Sequence, residues 1–407
     1  MARETKADQA YRLLIERQTR RLIDDGRVAL YGDPGREYFC RPRELLVPRQ
    51  FRDRLVGALR DQRADEVDDK QELSLFRLPA GANAHAAAAE MRKTVGGDPA
   101  AVEPNHVLFG APRWRGCPGR PPIPGAPIAL GAGQNDGAGV LIAVVDTGQS
   151  QASLTDPWVS QHVTVGAGGV DPLDDDGDNV LDSEAAHGTF IAGVIAQVAP
   201  GADVLALKAL DTDGVTDDFT AAQAVLAAQQ AGAQILNLSF GGYSHSDDGT
   251  SALNRALVDA DVVVVAAAGN DALQRRFYPA ARPDVIGVAA MGSTDHRAAF
   301  SNFGPWVDAC ADGERLLSMF AEGTVQSDAD GSGQPDVFAT PYAYWSGTSF
   351  AAPQVAAAIA ARMTQHGETA QQAAHALVGD PALPRRTGLG VRVQTNLRSN
   401  PAGVGGP

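Results

Sequence analysis

Five unbroken apolar runs, separated by helix-like segments, constrain the fold of this chain most strongly. The runs are VLIAVVD, ADVLALKAL, AQILNLSF, DVVVVAAAGN and DVIGVAAM. The segments between them have helical spacing, with Ser, Thr or Asp near their starts. Runs that are apolar at every position are typical of strands buried on both faces of a parallel sheet. The pattern predicts an α/β fold, a doubly wound, mostly parallel sheet with helices on both faces and ligands at the carboxyl ends of its strands.

The region before this alternation has a different pattern. Between residues 37 and 110, short β-like runs surround helix-like ones, which fits a small α+β sandwich. Residues 1–30 form a charged, amphipathic stretch whose sequence indicates a helix but no role. A Pro/Gly-rich stretch then predicts an exposed linker. The expected division is an N-terminal part at 1–112, a linker at 113–135, an α/β domain at 136–378 and a tail at 379–407 with one candidate strand, LGVRVQTNL.

Charge is distributed unevenly along the chain. Residues 1–120 contain 22 Lys and Arg against 18 Asp and Glu, whereas residues 121–407 contain 12 against 31. The two parts therefore carry net charges of +4 and −19, and opposite charges favour docking of one part on the other. The acidic second part also argues against nucleic-acid binding, which requires a basic surface.

Composition restricts the expected compartment and cofactor chemistry. The three cysteines of the chain are too few and too widely spaced for a disulfide framework or a zinc site: Cys40, Cys117 and Cys310. We therefore expect them to be ordinary packing residues with reduced thiols in a reducing compartment. No apolar stretch approaches the about 20 residues of a membrane-spanning helix, and the N-terminus lacks the apolar core of a signal peptide. The default expectation is a cytoplasmic protein without membrane contact.

Four polar residues stand where apolar runs meet glycine-containing breaks. Asp146 ends the apolar run in VVDTG, His187 opens HGTFIAG, and Ser349 precedes the helix-like run in SGTSFAAP. Asn270 ends VVVVAAAGN. A serine hydroxyl needs a neighbouring base to become a nucleophile, an acid orients that base, and an amide donor stabilises an oxyanion. The four residues therefore predict acyl-transfer chemistry.

Each of these residues also has an ordinary structural interpretation. Ser349 could cap a helix, His187 could be a surface histidine, and Asp146 could cap the turn that follows it. An unpaired carboxylate at the end of a buried strand is costly, however, and a histidine Nδ1–H would be a suitable partner. The occurrence of four such motifs in one chain favours the catalytic interpretation.

In their chain order Asp, His, Ser, these motifs resemble those of the subtilisin-like serine proteases (subtilases, peptidase family S8), over roughly residues 138–365. The resemblance implies a serine endopeptidase that works through an acyl-enzyme, with Asp146, His187 and Ser349 as the triad and Asn270 in the oxyanion hole. It implies a subtilisin-like sheet. The string EPNHV is similar to the end of subtilase propeptides, so the resemblance also implies that a small α+β, ferredoxin-like propeptide domain precedes the sheet and inhibits the enzyme as a zymogen. An unrelated α+β domain remains the alternative for that region.

The same resemblance assigns a substrate cleft. One segment matches the part of the family that pairs with the substrate backbone as an added strand, namely Ser239, Phe240, Gly241 and Gly242. Three small residues would line the pocket for the side chain before the scissile bond, and they predict a roomy, uncharged pocket: Ala267, Ala268 and Gly269. The chain departs from the usual family residues at Phe190, Phe350, Gln354 and Cys310–Gly313. These departures affect the expected shape of the pocket and leave the triad unchanged.

The resemblance also implies the partners. They are a protein or peptide substrate and the chain's own N-terminal domain in cis, and the expected oligomeric state is a monomer. No cofactor is required for the chemistry. The alternative function is that of a catalytically inactive subtilase homologue that binds peptides in the same cleft.

Two acidic loops are candidates for structural Ca²⁺. The first loop, at 171–182, offers Asp174, Asp176, Asp178 and Asp182, and the second, at 327–336, offers Asp328, Asp330 and Asp336. Closely spaced carboxylates can supply the six to eight oxygens that Ca²⁺ prefers. Neither loop has the EF-hand pattern, and a solvated acidic loop is the alternative for each.

Overall fold

The computed structural model describes residues 16–70, 72–110, 121–131, 135–244, 250–258, 261–325 and 335–397. Several predictions lie outside the described residues: the first half of the N-terminal helix, Cys117, much of the linker, and Asp328 and Asp330. In the described part, no helix is long and apolar enough to cross a membrane.

In its described residues, the N-terminal part contains three α-helices and five antiparallel strands. Helix α1 is described from residue 16 to residue 24. It is followed by β1 (Ala29–Tyr31), β2 (Tyr38–Pro48), α2 (Arg49–Asp61), β3 (Asp65–Lys70), β4 (Leu73–Arg77), α3 (Ala84–Thr94) and β5 (Glu103–Phe109). From β2 to β5 the order is β-α-β-β-α-β, as in ferredoxin-like folds. Helices α2 and α3 bury their apolar sides against this sheet around Phe51, Leu55 and Met91.

The remainder of the chain alternates strands and helices. The first elements are β6 (Ile123–Pro124), β7 (Leu141–Asp146), β8 (Gln149–Ser150), α4 (Pro157–His162), β9 (Val163–Val165), β10 (Val170–Asp171), α5 (His187–Val198), β11 (Asp203–Lys208), β12 (Val215–Asp217) and α6 (Asp218–Gln230). They are followed by β13 (Ile235–Leu238), α7 (Ser251–Leu257), β14 (Val263–Ala267), β15 (Ile286–Met291), β16 (Ala309–Asp312), β17 (Leu316–Met319), β18 (Gly323–Val325), β19 (Asp336–Phe338) and β20 (Tyr342–Trp345). The last are α8 (Thr348–His366), α9 (Ala370–Ala374), β21 (Arg385–Arg386) and β22 (Gly390–Arg392).

Nine strands form the central sheet, in the order β21-β22-β16-β15-β14-β13-β7-β11-β9. Every neighbouring pair is parallel except β21 with β22. Strand β7 shows why its run is apolar throughout: Ile142 and Val144 pack into the core that contains α5 and α8, whereas Ala143 and Val145 pack into the core that contains α6 and α7. The predicted doubly wound, mostly parallel sheet is confirmed.

A second sheet joins the N-terminal part to the α/β unit. Its order is β12-β5-β2-β4-β3, with β1 paired to β2. Strand β5 pairs antiparallel with β12, so that Val107 lies opposite Asp217 and Phe109 opposite Val215. The sheet of the N-terminal part therefore extends into the α/β unit through the pairing of β5 with β12.

Two terminal segments of the α/β unit belong to its sheets. Strand β6, within the stretch predicted as a linker, pairs with β20. The candidate strand in the tail is β22, which pairs with β16 at the edge of the central sheet. The α/β unit therefore extends from β6 to β22.

Candidate active site

Asp146 and His187 form a buried pair at the carboxyl edge of the central sheet. Asp146 is the last residue of β7 and His187 the first residue of α5. The Nδ1 atom of His187 lies 2.7 Å from Oδ1 of Asp146, and the two side chains are 2% and 0% exposed. Gly188 permits this approach, because a Cβ at that position would lie 2.3 Å from the carbonyl oxygen of Gly148. A side chain at this position would clash with the backbone that follows β7, so glycine allows the strand end and the helix start to meet here.

The charge state of His187 is controlled by surrounding carboxylates. Burial lowers the pKa of His187, but the carboxylates of Asp146, Glu184 and Asp171 outweigh burial and raise the pKa to about 9. Glu184 is itself 2% exposed, and its Oε2 lies 3.7 Å from Nε2 of His187. The imidazole therefore faces Asp146 with one nitrogen and Glu184 with the other.

Ser349 is the second residue of α8 and lies beside the N-terminal strand β5. Its Oγ is within hydrogen-bond distance of the carbonyl oxygens of Gly110, at 3.1 Å, and Ser239, at 3.2 Å. Among the described residues, no hydrogen bond joins Ser349 to His187. Phe350 and Trp345 pack around the imidazole, with ring centroids 5.2 Å and 5.5 Å away. In this state the serine hydroxyl is directed to the peptide that follows β5.

The carboxamide oxygen of Asn270 is fixed by hydrogen bonds from Thr348. Its Oδ1 accepts hydrogen bonds of 2.8 Å from both the backbone N–H and the hydroxyl of Thr348. The amide nitrogen is the end left to donate, next to the start of α8. This arrangement links the end of the VVVVAAAGN run to the residue before Ser349.

Strand β5 lies between two backbone segments of the α/β unit. The residue after it, Gly110, lies beside Ser349. Phe109 exchanges two backbone hydrogen bonds with Gly241, of 2.8 Å and 3.0 Å. On the other side, Gly110 donates to the carbonyl oxygen of Gly214 over 2.9 Å, next to β12. The predicted segment 239–242 therefore lies beside β5 on one side. Segment 214–217 lies beside β5 on the other side, carries no recognisable motif and was not predicted from the sequence as part of a site.

A cavity adjoins Ser349 between β5 and the 239–242 segment. Ala267 and Gly269 line it, as do Asp271 and Tyr243. Ala268, the third residue predicted there, is fully buried in a separate cluster that includes Met291 and Cys310.

Asp271 brings a carboxyl group to this cavity. It accepts a 2.8 Å hydrogen bond from the hydroxyl of Tyr243, and the guanidinium of Arg275 lies 4.3 Å from the centre of the Tyr243 ring. Burial raises the pKa of Asp271 to about 7, although the Tyr243 hydrogen bond and Arg275 oppose this shift. Asp271 directly follows Asn270 but was not among the residues predicted from the sequence.

Glu184 is the other residue that sequence reasoning missed. It stands three residues before His187, in the turn that leads into α5, and no local motif marks it.

The first acidic loop brings three of its four predicted carboxylates together. Oxygen atoms of Asp174, Asp176 and Asp182 lie within 4.8 Å of one another, and Asp178 is outside this group. Backbone N–H groups of Gly177 and Asn179 donate to Asp174 and shape the loop. Asp336, from the second loop, lies in β19.

Comparison with known proteins identifies the family. The subtilase family profile matches residues 137–397, more than half of the chain. The "Thermophilic serine proteinase" of Bacillus sp. (strain AK1) is 35% identical over 240 residues, which cover 56% of this chain and 53% of the relative. Thermitase of Thermoactinomyces vulgaris is 32% identical over 245 residues, covering 58% of this chain and 78% of thermitase.

The fold is also similar to that of solved structures. Fervidolysin from Fervidobacterium pennivorans, described as a keratinolytic enzyme related to subtilisin, superposes with a TM-score of 0.60 at 23% identity. The superposition covers 87% of this chain and 60% of fervidolysin. A protease from Pseudoalteromonas arctica superposes with a TM-score of 0.51 over 64% of this chain and 88% of that one. The chain belongs to the subtilase family of serine proteases.

Proposed function

We propose that this chain is a serine endopeptidase in which Ser349 is the nucleophile, His187 the general base, and Asp146 the residue that orients the imidazole. The observation that carries the proposal is the buried Asp146–His187 pair beside a serine at which an extended strand ends. Asp146 would fix the Nδ1–H tautomer, which leaves Nε2 to accept the serine proton. No cofactor takes part in this chemistry.

The mechanism follows from these positions. Ser349 Oγ attacks the substrate carbonyl carbon while its proton passes to Nε2 of His187. The resulting oxyanion accepts hydrogen bonds from Nδ2 of Asn270 and the backbone N–H of Ser349. The imidazolium then protonates the leaving amine, and the acyl-enzyme forms. Water, activated by the same imidazole, hydrolyses this ester and restores Ser349.

We propose further that the N-terminal part is an inhibitory propeptide. Strand β5 occupies the cleft between 214–217 and 239–242 with the backbone pairing of a bound substrate. Gly110, the residue after β5, lies beside Ser349, whereas β6 pairs with β20 inside the α/β unit. The cut that separates the two parts is therefore expected between residues 110 and 123. The proposed partners of the α/β unit are a protein or peptide substrate and the N-terminal part of the same chain. The proposed oligomeric state is a monomer.

Labelling with a fluorophosphonate tests the catalytic proposal, because only an activated serine reacts with this reagent. The chain is first incubated and its intact mass is measured, so that removal of the N-terminal part is known before labelling. We expect one adduct, on the peptide that contains Ser349. A folded chain that keeps its N-terminal part on incubation and labels at no serine would instead favour a peptide-binding homologue without catalysis.

Cleavage of the intact chain is expected to accelerate as the pH rises from 7 to 9. With β5 docked, the pKa of His187 is raised to about 9, and only the neutral imidazole can accept the serine proton. At pH 7 about one molecule in a hundred would carry neutral His187, and each pH unit gained below the pKa should raise the rate about tenfold. The measurement is the rate of cleavage between residues 110 and 123 by intact mass, from pH 6 to pH 10.

The variant Glu184→Gln supplies the matched comparison. Glu184 is one of the carboxylates that raise the pKa of His187, so removing its charge should move the rise in rate to lower pH. A wild-type rate that does not change between pH 7 and pH 9 would contradict this account of the base.

We also propose that the loop at 171–182 binds Ca²⁺ through Asp174, Asp176 and Asp182. The three carboxylates offer only oxygen donors, which suit this ion. Binding to the folded state alone would stabilise it by about 2.7 kcal/mol at a hundredfold excess over Kd. In Ser349→Ala protein, which cannot digest itself, the melting temperature should therefore be higher in Ca²⁺ than in EGTA.

Two variants locate this effect. Asp174→Asn removes one member of the cluster and should abolish the difference between Ca²⁺ and EGTA. Asp178→Asn lies in the same loop but outside the cluster, and it should keep the difference. Equal melting temperatures of the parent protein in the two solutions would refute the site.

A further inference from the structure

The segment before the ferredoxin-like strands makes its own contacts with the α/β unit. We call residues 16–28 the N-terminal arm; it consists of α1 and the turn that follows. Leu22 and Val28 of the arm are buried, with 0% and 1% exposure. They form one apolar cluster with Phe39 and with three residues at the cleft, Val107, Phe109 and Val215. The arm therefore covers one face of β5 and reaches β12 at the same time.

Two arginines of the arm bind one carboxylate of the α/β unit. Arg21 donates to both oxygens of Asp213, over 3.0 Å and 2.9 Å, and Arg27 donates to Oδ2 of Asp213 over 2.9 Å. Arg27 also forms an ion pair with Asp211. The Asp213 side chain is only 7% exposed, whereas Arg21 and Arg27 are 43% and 35% exposed. A carboxylate this buried depends on its charged partners far more than a surface carboxylate does.

The contacted residues belong to the turn that carries one wall of the cleft. In this turn, Gly214 donates to the carbonyl oxygen of Asp211, and Val215 donates to the Asp211 side chain. The carbonyl oxygen of Gly214 accepts the hydrogen bond from Gly110, the residue that lies at Ser349. The arm thus binds both β5 and the turn to which the end of β5 is attached.

We propose that the turn Asp211–Gly214, together with Val215, is an interaction surface and that the basic and apolar N-terminal arm is its partner. By binding there, the arm clamps β5 in the cleft. The proposal rests on the inhibitory role assigned above to the N-terminal part. It gives residues 16–28, for which the sequence indicated no role, a specific one. The ferredoxin-like strands alone would hold β5 by its backbone pairing, and the arm adds a charged and an apolar attachment on its outer side.

Hydrogen exchange in the full-length chain tests the clamp. All proteins carry Ser349→Ala, so that the readout needs no catalysis, and EGTA is present so that no metal competes with Arg21 for Asp176, 3.3 Å away. In Arg21→Ala/Arg27→Ala, exchange at residues 103–110 and 214–217 should be faster by about tenfold or more, the effect of losing charge-assisted hydrogen bonds to a buried carboxylate. Exchange in α2, β3 and β4 should stay unchanged.

Two further variants make the result specific. Asp213→Asn removes the same contact from the other side and should accelerate exchange in the same two segments, which also covers the case of a double variant that fails to fold. Arg52→Ala is the matched control, because Arg52 of α2 pairs with Asp69 and Glu66 of β3, so both partners belong to the N-terminal part.

Unchanged exchange at 103–110 in the arm variant and in Asp213→Asn would overturn the clamp, and so would an equal acceleration in Arg52→Ala. Neither outcome depends on whether Ser349 is catalytic, so failure of the clamp is distinguishable from failure of the proposed peptidase function. A parent chain in which 103–110 exchanges as fast as an unfolded peptide would instead refute the inhibitory role itself.

Discussion

Replacing Ser349 by alanine is expected to abolish peptidase activity and to leave the fold intact. The loss should be about a millionfold in kcat, which is the effect of removing the nucleophilic serine of subtilisin. The substitution removes one oxygen atom whose neighbours are two backbone carbonyl oxygens, and Thr348 remains bonded to Asn270, so the start of α8 should keep its place. The measurements are casein hydrolysis, the melting temperature and the intact mass, which should remain that of the uncut chain.

Ser346→Ala is the matched control for this substitution. Ser346 is also buried and stands three residues upstream, where its hydroxyl accepts a 2.9 Å hydrogen bond from the backbone N–H of Arg315. Its loss should cost about 1 kcal/mol of stability and leave catalysis in place. Casein hydrolysis by Ser349→Ala at the wild-type rate would show that another residue is the nucleophile.

Residues 113–407 expressed alone are expected to fold slowly and to yield little activity, and residues 1–112 added in trans should rescue them. The central sheet is parallel and joins distant parts of the chain, so loop-closure entropy is lost before its contacts form. Strand β5 offers β12 a partner that the truncated chain lacks. Residues 1–112 contain 19 Lys and Arg against 18 Asp and Glu, and residues 113–407 contain 15 against 31, so net charges of +1 and −16 also favour docking.

The measurement is the recovery of activity after dilution from denaturant, with and without the added fragment. The fragment should speed the recovery of folded protein. It should then inhibit the peptidase activity of that protein, because β5 occupies the cleft. Both effects should weaken with added salt, since the Debye length is about 8 Å at physiological ionic strength. If residues 113–407 fold with full activity unaided, and the fragment neither speeds folding nor inhibits, the propeptide proposal fails.

The sheet and the catalytic candidates could be predicted because their signals are local. Each buried strand is a continuous apolar run, as in β14, where Val263 to Ala267 are all buried. Asp146, His187, Ser349 and Asn270 each stand in a short motif at an element boundary, so their positions in the fold followed from the positions of the elements. The acidic loop was found in the same way, but its density of carboxylates did not reveal that Asp178 lies outside the cluster.

The sequence by itself therefore determined which elements form and which residues are chemically equipped to act. Only the tertiary structure decided which of them meet: Glu184 beside Nε2 of His187, Asp271 at the cavity, and Arg21 on Asp213, 192 residues away. It also placed Gly110, at the end of the N-terminal part, beside Ser349, 239 residues away. The physical reason is that such contacts arise from the packing of whole elements, whereas a local pattern records only whether a residue suits a strand, a helix or a turn.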